Sequence, residues 1–408
     1  MRDFLIGVLL VLTAPVWLLL LLINPHWRSH VGERFSFTGG DVDLWLHGAS
    51  MGEIIGVEEF LKRFHQKFPK QKIVVTANTS TGRAAAKKRF PFAHVQLAPF
   101  DWGPVVKKWM KSCHPKLHLL SELDLWPARQ ALLNSMEIPT IVLGARLSER
   151  GFRRSQKVWG LLQEAYDSVV FWGAREEAVA NRLKKLGIAE DKIEITGPLK
   201  YDMLLTETTE PLNSSSRIDP SFAVVLAGSV HPSEEKPFIE LYQQLGEDEK
   251  LQIILAPRHP NKLSYFVQEL ENNNCPYVLW SENKPMPAKG FLLLDQMGVL
   301  SALYEKAQLA FVGGTLVDLG GHNVLEPARF SVPVVVGPYT HHVKEEMTLL
   351  LKMQAVLQES DVLSTIKKLL QEPEKASRMG MQSKEVLKSL CGGTEKSLKI
   401  VEKYFEGR

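Results

Sequence analysis

Glu53 closes GASMGE, a turn rich in glycine and serine directly behind the apolar run VDLWLHG, which sets a carboxylate on the first turn of the helix that follows a strand. A carboxylate so placed is a candidate general base. It also complements the positive end of a helix, an effect of about 0.3–1 kcal/mol, and spacing alone leaves both roles open. SELDLWP carries two more, Glu122 and Asp124, to another strand end ahead of a Trp126–Pro127 helix start. Carboxylates gathered at one rim are the usual material of proton transfer. For Asp124 the spacing favours helix capping, with an aromatic packed beneath the loop.

A second set of residues has the chemistry of anion binding. APRHP places Arg258 and His259 directly behind an apolar run, where a planar guanidinium can clamp a phosphate or carboxylate. Ser229 and His231 in GSVHPSEE, and the glycine turns of GGTLVDLGGHNVLEPA from Gly313 to Ala328, follow other runs. A glycine turn before a helix presents backbone N–H groups and the positive helix end with no side chain in the way, and Glu326 one turn later can grip ribose hydroxyls. Asn323 and Glu326 also have the spacing of a capping box, which explains both without a ligand. There is no GxGxxG fingerprint and no H-E-x-x-H or clustered Asp pair, so a metal-independent reaction is expected.

These residues need a scaffold that lines up strand ends. Short apolar runs (VDLWLHG, KIVVTAN, HVQLAPF, LHLLSE, TIVLGAR, SVVFWGA) alternate with stretches of helical composition, the rhythm of a mainly parallel, doubly wound sheet. The rhythm breaks over residues 204–221, LLTETTEPLNSSSRIDPS, and resumes with FAVVLAGS, LQIILAPR, PYVLW, FLLLD, LAFVGG and VPVVVGP. The expected organisation is an α/β chain of two Rossmann-like domains, residues 31–203 and 222–408 with closing helices, joined by that linker and facing each other. Ligands in such sheets sit outside the carboxyl ends of the strands.

Phe4 to Ile23 is uncharged and apolar, about the ~20 residues needed to cross a bilayer core, so residues 1–30 are expected to be a membrane anchor and its flank. A cleaved signal peptide is the rival, but the run is longer than the usual apolar core and no A-x-A-like site follows. Arg28 and Arg34 after the span place the rest of the chain in the cytoplasm. Three scattered cysteines suit a reducing compartment, and a net charge of +3 over 408 residues gives no argument for nucleic acid.

The motifs together resemble the 3-deoxy-D-manno-octulosonic acid (Kdo) transferases of lipopolysaccharide synthesis. GASMGE, TSTGR, ELDLWP, ARLSER, GPLKYD, GSVHPSEE, APRHP, DQMG and FVGGTLVDLGGHNVLEPA stand in that family's order along essentially the whole chain. The resemblance implies the GT-B fold and an inverting transfer of Kdo from CMP-Kdo to a lipid A precursor at the inner membrane, without a cofactor. Glu53 matches the family's catalytic glutamate and Glu122 a second acidic position. Arg83, Trp126, Arg146 and Lys200 match positions suited to an acidic sugar or phosphorylated acceptor. For CMP the matching positions are Ser229, His231, Arg258, His259, Met297, Gly298, Gly313, Gly314, Thr315, Gly321, His322, Asn323 and Glu326. Departures from the family pattern stand at Asp124, Gly144, Gly151, Pro198, Val230, Gln296 and Val299, and they bear on donor orientation and acceptor choice. Two other readings stay open: a GT-B transferase using a UDP-sugar, and a catalytically weakened homologue that binds lipid or nucleotide-sugar.

Overall fold

A computed structural model describes residues 30–37, 39–206, 217–246 and 250–406. The expected membrane span lies outside these residues, and among the described residues no helix is long and apolar enough to cross a membrane. Most of the expected linker, residues 207–216, lies outside them as well.

The chain divides into two compact units, Met1–Met203 with Leu390–Arg408, and Leu204–Ser389. The first unit is built on a sheet of β1 (Leu44–His47), β2 (Ile73–Ala77), β3 (His94–Leu97), β4 (Leu117–Ser121), β5 (Thr140–Ala145), β6 (Val169–Ala174) and β7 (Ile193–Ile195), in the order β3-β2-β1-β4-β5-β6-β7. The second is built on β8 (Ala223–Val230), β9 (Leu251–Pro257), β10 (Tyr277–Leu279), β11 (Gly290–Leu293), β12 (Leu309–Val312), β13 (Val334–Val336) and β14 (Val356–Gln358), in the order β10-β11-β9-β8-β12-β13-β14. Every strand pair is parallel.

The strands read as continuous apolar runs because both sheet faces are covered. Along β1, Leu44 and Leu46 join a core with Ile54, Phe60 and Phe64 on one face, while Trp45 joins Val106 and Trp109 on the other. In β8, Val225 and Ala227 pack with Phe238 and Phe311, and Val224 and Leu226 with Trp280 and Tyr304. Alternate side chains point to opposite faces of a strand, so a strand with two buried faces shows no polar alternation.

In each sheet the winding reverses beside the first strand. The reversal lies between β1 and β4 in the first sheet and between β8 and β12 in the second. A crevice forms at such a switch point, because the connections leave the two neighbouring strands in opposite directions.

The end of the chain departs from the sequence expectation. Helices Val362–Gln371 and Pro373–Leu390 close the second unit, but the last helix, Gly393–Glu406, belongs to the first. Its Leu398, Ile400 and Val401 enter the core of Phe60 and Phe64. The buried Asp202 carboxylate fastens its start, accepting from the N–H of Gly392 at 2.5 Å and of Thr394 at 2.6 Å. Asp202→Ala leaves those N–H groups without their partner and is expected to cost about 1–3 kcal/mol. Chemical unfolding measures the cost, and amide exchange should rise first in residues 392–406.

Candidate functional site

The first unit gathers its carboxylates at its switch point, behind β1 and β4. Ser50 caps the short helix Met51–Gly56 by accepting from the Glu53 N–H at 3.3 Å. The Glu53 carboxylate folds back, accepting from the Ala49 N–H at 2.9 Å and the Ser50 hydroxyl at 3.2 Å. The helix start and the carboxylate therefore fix each other. Burial raises the Glu53 pKa, the Ala49 N–H opposes it, and the charge of Glu122 adds to it, with a smaller contribution from Asp124. The balance stands at about 7. A half-buried carboxylate that ionises near neutrality is suited to accept a proton at working pH.

Glu122 is the first residue past β4, with its N–H on the Leu143 carbonyl at 2.9 Å and a left-handed φ of 55°. An ordinary residue in that region costs about 1 kcal/mol or more, and here the sharp turn coincides with the carboxylate cluster.

Asp124 does not cap the following helix, contrary to expectation. That role falls to Asp101, whose carboxylate accepts from the N–H groups of Ala128 at 2.9 Å and Arg129 at 2.6 Å, at the start of helix Pro127–Ser135. Asp124 instead accepts from Asn78 Nδ2 at 2.7 Å and lies 2.8 Å from His47 Nε2, with the buried Arg129 guanidinium at 3.8 Å. His47 is fully buried, and its Nδ1 lies 2.8 Å from Thr76 Oγ1, which also receives the Trp45 indole N–H at 2.8 Å. Burial and the Arg129 charge hold His47 down at about 4, so the ring is neutral at pH 7. Only one proton arrangement then satisfies the chain: Trp45 donates to Thr76, Thr76 to Nδ1, and Nε2–H to Asp124. Burial alone would raise Asp124, but the His47 hydrogen bond and the neighbouring positive charge bring it to about 2.

The basic residues separate into two groups. Arg83 is buried and makes a two-pronged pair with Glu33, Nε to Oε2 at 2.8 Å and Nη2 to Oε1 at 2.5 Å. Its guanidinium serves the fold, which corrects the expectation that it meets a substrate. Arg146, behind β5, is exposed. Lys200 is exposed as well, with its ammonium 4.5 Å from the Tyr201 ring centroid. Its Cβ comes within 3.9 Å of a Cβ built on Gly56, beside the Glu53 helix. Trp126 is 46% exposed rather than packed beneath its loop.

In the second unit the switch point lies between β8 and β12. Ser229 takes a left-handed φ of 55°, and a Cβ on Gly313 would stand 2.3 Å from the Ser229 carbonyl oxygen, so only glycine lets the two strand ends approach. The N–H groups expected to cradle a phosphate are already used. The fully buried Glu234 takes the N–H of Thr315 at 3.0 Å and Leu316 at 2.9 Å on Oε1, and of Gly314 at 2.7 Å and His231 at 2.9 Å on Oε2. Gly313 donates to Gly228, and Gly321 and His322 donate back to Gly314 and Gly313. Thr315 is buried, its hydroxyl bonded to the Val312 carbonyl at 2.7 Å. An internal carboxylate thus occupies the place that the sequence reading gave to a phosphate.

No α-helix follows this turn. Asn323 Oδ1 accepts from the Leu325 N–H at 3.1 Å, its Nδ2 donates to Glu326 Oε1 at 3.2 Å, and the chain then makes one 3-10 turn, Pro327–Phe330. This is an Asx turn and not a capping box. Pro327 has no N–H to extend a helix, and Ser331 turns left-handed at φ 59° before Pro333 leads into β13. The two prolines were the available sign that a helix does not fit.

The rim left at this end is imidazole and guanidinium. The His231 and His322 rings lie nearly parallel with Nε2 atoms 2.8 Å apart, and His259 stands edge-on to His231 at 5.5 Å between centroids. Two nitrogens at that separation hold one proton between them, so the pair cannot both be charged. Burial and then the Arg258 charge hold His322 down at about 4. Arg258 and His259 are exposed behind β9, and Met297 is 68% exposed beside Gly298, whose φ is 92°. Imidazole N–H groups and a guanidinium are donors suited to a phosphate. Among the described residues no cluster of three or more His, Cys, Asp or Glu could hold a metal.

His47, Thr76, Asn78, Arg129, Glu33 and Glu234 were not among the expected site residues. His47, Thr76 and Asn78 lie inside the apolar runs quoted above and Glu234 inside GSVHPSEE, but they have partners remote in the chain.

Residues 29–203 match the family described as 3-Deoxy-D-manno-octulosonic-acid transferase (kdotransferase). The 3-deoxy-D-manno-octulosonic acid transferase of Haemophilus influenzae is 29% identical over 400 residues, covering 94% of this chain and 93% of that one. That of Chlamydia muridarum is 29% identical over 388 residues, covering 92% and 89%. In fold, the chain resembles the glycotransferase of kitacinnamycin, with a TM-score of 0.55 and 12% identity over 90% of this chain and 100% of that one. Two parallel-sheet α/β domains of this kind resemble the GT-B glycosyltransferases.

Proposed function

We propose that the chain, which is similar to the 3-deoxy-D-manno-octulosonic acid (Kdo) transferases, takes Kdo from CMP-Kdo and transfers it, with inversion, to a hydroxyl of a lipid A precursor, lipid IVA, with Glu53 as general base. The observation that carries the role is the Glu53 carboxylate itself, half-buried at the switch point beside Glu122 and brought to about 7. In this reading Glu53 takes the proton of the attacking hydroxyl and the hydroxyl oxygen bonds to the anomeric carbon of Kdo. The bond from that carbon to the phosphate oxygen breaks, and its electron pair leaves with CMP. Arg258 and the imidazoles of His231, His259 and His322 are the groups assigned to the departing phosphate, and Glu326 to the ribose. The glycine turn contributes by holding His322 opposite His231 rather than by its own N–H groups. No metal enters the reaction as proposed, and the apolar run Phe4 to Ile23 keeps the enzyme at the inner membrane, where its acceptor lies.

Incubation of the purified full chain with CMP-Kdo and tetra-acylated lipid A precursor, followed by mass spectrometry of the lipid, tests the reading. Addition of whole Kdo units is the expected result. Lipid of unchanged mass overturns it. Calorimetric titration with CMP and UDP should show binding of CMP and a much weaker response to UDP, and the reverse order would point to a UDP-sugar donor.

A further inference from the structure

The turn Val31–Arg34 follows the sequence's apolar N-terminal segment, and its Glu33 and Arg34 side chains reach the carboxyl ends of β2 and β3. Glu33 pairs with the buried Arg83 on the helix behind β2 and also accepts from the Leu97 N–H, at the end of β3, at 2.9 Å. The Gln96 amide donates to the Glu33 carbonyl at 3.1 Å. Arg34 reaches further, donating from Nη1 to the Ala98 carbonyl at 3.0 Å and from Nη2 to the Asn78 carbonyl at 2.5 Å. Asn78 is the residue whose side-chain amide holds Asp124 at 2.7 Å. One continuous line of polar contacts therefore runs from the post-anchor turn through Asn78 to the carboxylates behind β4.

We propose that residues 30–37 form a latch that positions the catalytic rim, with Glu33 clamping Arg83, and Arg34 fixing Asn78 so that Asn78 and His47 together hold Asp124 beside Glu53. The inference rests on the assignment of Glu53 as base. Glu33 and Arg34 are positioning residues in it and touch no reacting atom. The segment that ties the apolar N-terminus to the enzyme is thus part of its active architecture, and cutting it away costs more than membrane attachment.

The groups that face Glu53 give the test its direction. Glu122 stands at the end of β4, Asp124 in the loop beyond it, and Ser50 and the Ala49 N–H on its own turn. Asp124 is faced by His47 from β1, Asn78 from behind β2, and Arg129 and Trp126 from the helix start. Release of Asn78 lets the Asp124 charge move away from Glu53, so Glu53 ionises at lower pH. Loss of the Arg34 positive charge by itself would act in the opposite direction, so the sign separates displacement from a simple charge effect.

The experiment uses the full chain in detergent-solubilised membranes and compares Arg34→Ala, Arg34→Lys and Glu33→Gln with wild type. Arg34→Ala and Glu33→Gln are expected to lower kcat about tenfold or more, since misplacement by about 1 Å can cost up to 10²-fold, with the KM for CMP-Kdo little changed. In Arg34→Ala the acid limb of the kcat/KM profile should shift to lower pH, and Arg34→Lys should recover most of that shift. An acid limb that stays in place or moves to higher pH overturns the proposal. Hydrogen exchange on the same proteins decides the case if wild type transfers no Kdo, an outcome that refutes the functional reading. Faster exchange in residues 76–79 and 122–126 of Arg34→Ala then upholds the latch, and unchanged protection there overturns it.

Discussion

Glu53→Gln is expected to lower Kdo turnover by about 10²–10⁴-fold, the range contributed by a positioned general base, while the protein stays folded. The amide oxygen can still accept the Ala49 N–H, and Ser50 remains the helix cap through its bond to the main-chain N–H of residue 53, so the local structure keeps its supports and only the proton acceptor is lost. The pH dependence gives a second measure. Glu53 is raised from the usual carboxylate range to about 7 by burial and by the charges of Glu122 and Asp124. It is therefore mostly protonated below neutrality and must lose its proton to act as the proposed base. Wild-type kcat/KM should rise with a slope of one as pH increases through about 7 and level off above, and the Gln variant should lack that limb. Steady-state rates from pH 5 to 9, with circular dichroism on the same samples, check both. A variant that turns over within threefold of wild type would remove Glu53 from the mechanism.

Glu234→Ala is expected to have the largest effect on stability. The side chain is fully buried and satisfies four main-chain N–H groups, those of His231, Gly314, Thr315 and Leu316. Truncation leaves all four without their acceptor. Leaving a buried donor unpaired costs about 1–3 kcal/mol, and since the glycine turn relaxes as one piece the four losses do not add in full, giving about 3–5 kcal/mol. Glu234→Gln keeps one acceptor oxygen but turns an NH2 group toward the remaining N–H donors, so it should recover less than half of the loss. Urea unfolding followed by a probe in the second unit measures the change. Because the same turn sets His322 against His231, a weakened affinity for CMP should accompany it. An Ala variant as stable as wild type would show that water or another group can replace the carboxylate.

Much of the architecture was legible from the chain. The alternation of apolar runs with helical stretches placed two parallel sheets, because strands covered on both faces need unbroken apolar runs, and the motifs behind those runs named the strand ends at which the carboxylates and imidazoles gather. Glu53 and Glu122 were legible as carboxylates behind strands. The glycine turn was legible as a strand end, but its occupant and the helix expected after it were misread. The N–H groups that suit a phosphate suit an internal carboxylate equally well, and the two prolines near Glu326 outweighed the capping spacing of Asn323 and Glu326.

The sequence by itself determined the fold class, the order of the elements and the residue types at each strand end, since these follow from local periodicity and turn chemistry. The tertiary structure alone decided which strand ends are neighbours. Reversal of the winding beside β1 and β8 sets Glu53 against Glu122, and His231 against His322, which no spacing along the chain records. It also decided the partners that set each group's charge. His47 and Asp124 are 77 positions apart, Glu234 and Gly314 80, and Glu33 and Arg83 50. Hydrogen bonds of that reach depend on how the sheet stacks distant turns at one end, and a pKa follows from the resulting burial and charge rather than from the residue's neighbours in sequence.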